Sequence, residues 1–117
     1  MRILLKRAYE SSSKNDGFRI LVDRIWPRGV SKDAANIDLW AKEVTPSTDL
    51  RKWFSHDPAK WNEFKKSYIQ ELEDVPDAVE EFISSLREHD TVTFVYGAKD
   101  TEHTHALILK EYIEKKL

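Results

Sequence analysis

The chain has 117 residues, 40% apolar and 34% charged, with a formal net charge of −2 and no cysteine. That length suits one domain spanning residues 1–117, and the composition suits a globular fold with its own core. The lack of cysteine excludes disulfides, thiolate metal sites and cysteine nucleophiles, and the slight acidity argues against a general nucleic-acid binder.

Charge is unevenly spread. Residues 1–35 hold eight Lys/Arg against four Asp/Glu, and residues 36–117 hold eleven against seventeen. This reads either as an ordinary solvated surface or as a basic functional segment. Ile3-Leu4-Leu5 precedes Lys6 and Arg7, an apolar run too short for a signal-peptide core or a membrane span. The expected location is the cytoplasm, with no membrane partner.

Arg2 to Arg7 predicts a first strand, and Ser11 to Gly17 a loop. Phe18 to Ile25 is β-rich and predicts a second strand, with its direction relative to the first left open because the loop is short for a helical crossover. Ser31 caps a possible single helical turn over Lys32 to Ala35, and Ile37 to Val44 fits strand or helix equally. Ser47 or Thr48 caps a short helix through Phe54. Asp57-Pro58 is an N-cap followed by proline at the first helical position, opening a helix to about Glu73 with Trp61, Phe64, Tyr68 and Leu72 as its apolar stripe. After Pro76 a further helix carries Val79, Phe82, Ile83 and Leu86. Thr91 to Tyr96 is apolar at most positions and predicts a central strand. Gly97 to Asp100 predicts a turn, and Thr101 to about Lys116 a last helix capped by Asp100 or Thr101. The order predicts an α/β layered fold with a small, mainly parallel sheet and packed helices. Neither glycine-rich nucleotide-binding pattern is present.

Three segments could carry chemistry. Asp23-Arg24-Ile25-Trp26-Pro27-Arg28-Gly29 follows a strand, where α/β proteins place functional loops. Its arginines suit two-pronged anion contacts, and Asp23 could orient a guanidinium or act as a base. The same residues also read as an internal Asp–Arg pair that locks the turn. Lys99 to His105 follows the predicted central strand and opens the last helix, where backbone N–H groups favour anions. His103 and His105 are two residues apart, roughly 200° around a helix, so they converge only if His103 is not helical. His105 shares a face with Leu109 and Tyr112 and should point to the sheet. With two histidines and no thiolate, no metal site is expected. Arg51 and His56 form the third group, either an anion site or the packing of two helix ends by Trp53 and Phe54. Trp53 and Trp61 read as core.

Lys6-Arg7, Leu21 to Gly29, Trp40 with Lys42, and Thr45-Pro46-Ser47 resemble the YeaO-like family of bacterial domains of unknown function. So do Leu50 to Phe54 with His56-Asp57-Pro58, and Tyr96 to Asp100 with His103 and His105. The resemblance spans nearly the whole chain. It departs at Gly97 and Thr104, where the family pattern usually has alanine and asparagine. The resemblance implies that the three segments form one signature.

The resulting expectation is a pocket for a small anionic or phosphate-bearing ligand at the carboxyl edge of the strands. Arg24, Arg28, Lys99 and His103 would bind it, with Arg51 and His56 reaching in. In an enzyme, Asp23 or His105 would be the general base. The rival readings are a non-catalytic binding module, for a small anion or a nucleic-acid end, and an interaction protein using an exposed Trp26. No cofactor or oligomeric state is indicated.

Overall fold

The computed structural model describes all 117 residues. Four strands, β1 (Arg2–Arg7), β2 (Phe18–Leu21), β3 (Leu39–Trp40) and β4 (Thr91–Tyr96), form one sheet in the order β1-β4-β2-β3. Every pairing is parallel. The helices are α1 (Lys32–Ala35), α2 (Thr48–Phe54), α3 (Trp61–Glu73), α4 (Pro76–Leu86) and α5 (His105–Glu114). The fold is α/β.

The direction left open between β1 and β2 is resolved by β4, which lies between them and runs parallel to both. Residues 8–17 carry the crossover with a single 3-10 turn, Lys14–Asp16, in place of a helix. The ambiguous stretch from Ile37 to Val44 divides into both structures: β3, then a 3-10 turn at Lys42–Val44. The strand expected to reach Ile25 stops at Leu21. α5 begins at His105 with Thr104 as its cap, later than expected, because the Asp100 carboxylate bonds the next amides in a turn that does not propagate as helix.

Side chains alternate across the strands. Ile3, Ile20, Val22, Val92, Phe94 and Tyr96 join the buried residues of α2 to α5 in one hydrophobic cluster. The other face holds Leu21 and Val95 beside a polar group that sequence patterning did not anticipate. Arg19, 1% exposed, donates from Nη1 to Asp16 Oδ2 at 2.6 Å and from Nε and Nη2 to the Ala35 carbonyl. Lys6 Nζ reaches Asp16 Oδ1 at 3.1 Å, and Thr93 Oγ1 donates to the Asp16 carbonyl at 2.7 Å. This network fastens the crossover and α1 to the sheet. The tryptophans divide differently from expectation. Trp61 is half-buried against the core, whereas Trp53 is 41% exposed with Lys60 Nζ 5.0 Å from its ring centre.

Candidate functional site

β2 and β4 end side by side. The Val22 amide donates to the Val95 carbonyl at 3.0 Å, continuing the ladder past the end of β2. One residue later a side chain replaces the backbone as acceptor: the Gly97 amide donates to Asp23 Oδ2 at 2.8 Å. A Cβ at position 97 would lie 3.0 Å from that oxygen, so glycine permits this close approach. Trp40 Nε1 donates to the Asp23 carbonyl at 2.7 Å and holds the same residue from β3.

His105 opens α5 and faces these strand ends. Its Nε2 lies 2.8 Å from the Val22 carbonyl and 3.1 Å from Asp23 Oδ1. A carbonyl only accepts, so Nε2 carries the proton and donates to Val22. Asp23 Oδ1 is buried beside the ring without a hydrogen bond of its own. Tyr68 stands edge-on to His105, with ring centres 6.4 Å apart, and donates its hydroxyl to the Val44 carbonyl. Burial, with Glu71 nearby, pushes the Tyr68 phenol well above its ordinary range.

Arg24 does not pair with Asp23. Its Nε donates to the Pro46 carbonyl at 3.0 Å and Nη2 to the Thr45 carbonyl at 3.3 Å. The guanidinium therefore ties the loop after β2 to the lead-in of α2. That helix is held by Ser47, which accepts from the Leu50 amide, and by Glu71 of α3, which accepts from the Ser47 amide and hydroxyl at 2.8 and 2.6 Å. α2 carries Arg51 and Lys52, and it ends in two consecutive left-handed residues, Ser55 (φ 46°) and His56 (φ 56°). Left-handed backbone costs non-glycine residues of order 1–2 kcal/mol, so the packing around this turn enforces it.

The second wall is the loop after β4. Asp100 Oδ1 accepts from the Glu102 and His103 amides at 2.9 and 3.0 Å, and Oδ2 meets His103 Nδ1 at 2.8 Å. These contacts, the Glu102 amide foremost, hold the Asp100 carboxyl below its ordinary value. The His103 ring stands edge-on to Trp61 with centres 5.4 Å apart. His103 precedes the helix, so both histidines can reach one cleft, each beside its own carboxylate. No group of three His, Cys, Asp or Glu side chains could hold a metal ion.

A cleft of about 710 Å³ opens between these walls, over Phe54 and Phe64. Asp23, Arg24, Arg51 and His56 line it together with Lys99, His103 and His105. Arg28 does not. It is exposed beyond the loop's proline, next to Gly29 in a left-handed turn (φ 78°), and its backbone carbonyl accepts from the Tyr9 hydroxyl at 3.0 Å. Trp26 is likewise turned inward. It is half-buried, donates to the Val30 carbonyl at 2.7 Å and packs edge-on against Trp40, so the exposed ring an interaction role would use is absent.

Sequence reasoning missed three lining residues, Tyr9, Lys52 and Asp100. The Asp100-x-x-His103 spacing was available as a signal, as was the position of Lys52 beside Arg51. Tyr9, in an unpatterned loop, had none. The cleft is lined by four Arg/Lys side chains against two carboxylates, and both carboxylates already have partners within the walls. The Arg51, Lys52 and Lys99 side chains lining the cleft have no hydrogen-bond or ion-pair partner within the chain.

Comparison with known proteins adds relatives across the chain. A family model described as "Inactive DUF488-N3 subclade" matches residues 2–117. The uncharacterized protein YeaO of Escherichia coli (strain K12) is 38% identical over 113 residues, covering 97% of this chain and 97% of the relative. The uncharacterized protein Rv3073c of Mycobacterium tuberculosis (strain ATCC 25618 / H37Rv) is 37% identical over 112 residues, covering 96% and 93% respectively. No solved structure matches.

Proposed function

Since the chain belongs to the YeaO-like family, the inactive DUF488-N3 subclade, we propose that it is a non-catalytic binding module whose cleft takes a small phosphate-bearing anion. The observation that carries this reading is the cationic excess of the cleft in a chain of net charge −2, with Arg51, Lys52 and Lys99 unpartnered. Unpaired cations converging on a concave surface raise the local concentration of anions, and guanidinium and ammonium groups form charge-assisted hydrogen bonds to phosphate oxygens. Arg24 also lines the cleft, and only its Nε and Nη2 are engaged by backbone carbonyls.

The family description supports a reading without turnover, and so does the state of the two candidate bases. Asp23 Oδ2 is taken by the Gly97 amide, and Asp23 Oδ1 faces His105, whose Nε2 proton goes to the Val22 carbonyl. In this reading the pair shapes the wall by joining β2, β4 and α5.

Titration with inorganic phosphate and pyrophosphate tests the proposal. Pyrophosphate should bind, and both Arg51→Ala and Lys99→Ala should weaken it about tenfold, the usual scale for losing one charge-assisted contact. Lys14→Ala, at an exposed position of the 3-10 turn outside the cleft, should change nothing, and affinity should fall as salt rises from about 0.05 to about 0.5 M. Binding unaffected by Arg51→Ala and Lys99→Ala, or no binding by the wild-type chain, would sink the reading.

A further inference from the structure

The cleft is lined by an aromatic ring that is held by polar contacts but not covered. Tyr9 lines the cleft and is 52% exposed. Its hydroxyl donates to the Arg28 carbonyl at 3.0 Å, and the Arg7 guanidinium carbon lies 5.3 Å from its ring centre. Arg7 is itself fixed, with Nε donating to the Ala98 carbonyl at 2.9 Å. The backbone beneath is closed twice: the Arg7 amide donates to Glu10 Oε2 at 2.7 Å, and the Glu10 amide donates to the Arg7 carbonyl at 3.1 Å.

Ordering a side chain costs rotamer entropy, which burial of the ring normally offsets. Here the ring is held at its tip and by Arg7 while much of its surface stays open to solvent. Ile25, 62% exposed, is a second exposed large apolar residue lining the same cleft. The cleft therefore combines exposed apolar surface from Tyr9 and Ile25 with the unpartnered cations Arg51, Lys52 and Lys99. Its volume of about 710 Å³ lies within the range of sites for drug-sized ligands, far larger than one phosphate needs.

From this juxtaposition we infer that the ligand is a phosphate joined to a flat aromatic ring, a nucleoside 5′-phosphate, free or at the end of a strand, whose base stacks on Tyr9. A pre-ordered aromatic is a suitable platform because the ligand does not have to order it, and because every base has a π-face to offer. The Tyr9 hydroxyl bond also gives the exposed Arg28 segment a part in the site through its backbone. The inference rests on the anion-binding reading of the cleft.

The test compares adenosine 5′-monophosphate with ribose 5-phosphate by equilibrium titration of the full chain. The wild-type chain should bind the nucleotide about five- to 150-fold more tightly, the scale of one base stacked on one ring. Tyr9→Leu should abolish that preference while leaving ribose 5-phosphate affinity unchanged, and Tyr9→Phe, which keeps the ring and loses only its hydroxyl anchor, should reduce the preference without abolishing it. Equal binding of the two compounds by the wild-type chain, or a preference that survives Tyr9→Leu, overturns the platform while leaving the anion site standing. Binding of neither overturns both. A 5′-phosphorylated hexanucleotide distinguishes the sources: tighter binding than the mononucleotide, lost in the 5′-hydroxyl form, identifies a strand end, and equal or weaker binding identifies the free nucleotide.

Discussion

Arg19 carries a full charge into a site that water barely reaches, and it does so because Asp16 and the Ala35 carbonyl occupy its donors. Burial alone would raise the Asp16 carboxyl. The Ser13 amide, Lys6 and Arg19 together outweigh burial and hold it below its ordinary value of 3.8. A carboxyl depressed in the folded state contributes stability that is complete above its unfolded value and is lost as pH falls through the lower folded one. Asp16→Asn should therefore cost about 3 kcal/mol near neutral pH, where it strands a buried guanidinium. The gap to the wild-type chain should narrow as the pH drops below about 4. Urea unfolding of both proteins at pH 7 and pH 3 measures it, and a gap independent of pH would deny Asp16 this role. Arg19 was unreadable in the sequence because an arginine in a β-rich run normally marks the solvent face. Asp23 and His105 were legible as residues of interest, since one follows a strand and the other shares the inward stripe of a helix. Their proximity to each other was not.

At the scale of elements, local chemistry placed most starts and stops. Ser31 and Ser47 cap α1 and α2, Pro76 opens α4, and Phe64, Tyr68 and Leu72 form the buried stripe of α3. These signals act within a turn or two of the chain, so a sequence displays them. The misplaced start of α5 came from the same kind of signal, an aspartate bonding two following amides, in a segment where the helix does not propagate. The hold of Glu71 on the start of α2 was not foreseeable, because it crosses 24 residues. Glu71→Ala should cost about 2 kcal/mol by removing two charge-assisted acceptors. It should also speed hydrogen exchange across residues 48–54 by about tenfold, with little change in α4. Exchange in α2 that matches the wild-type rate would show that packing alone anchors it. Because α2 carries Arg51 and Lys52, the same variant should weaken pyrophosphate binding without touching the cleft.

For the whole molecule, one cluster on one face of the sheet joins β1, β2 and β4 to α2 through α5. Phe94 lies at its centre on the middle strand, fully buried and 5.7 Å from Phe82 between ring centres. Phe94→Ala should cost about 3–5 kcal/mol, a large share of the total stability of a domain this size. Circular dichroism and tryptophan fluorescence should register the loss at the same urea concentration. Transitions that separate would mean that the helical layer and the sheet unfold independently. No helix is long and apolar enough to cross a membrane. Periodicity, caps and composition, all short-range properties, determined the α/β class, the four longer helices in outline and the central place of β4. Only the tertiary structure decided the strand order, the burial of Arg19 against the Ala35 carbonyl, the bridge from Asp23 to Gly97 across 74 residues and the cleft that gathers the cations. Those features depend on which distant segments share a core. The free energy that selects them comes from long-range burial and pairing, to which no local stretch of sequence holds the key.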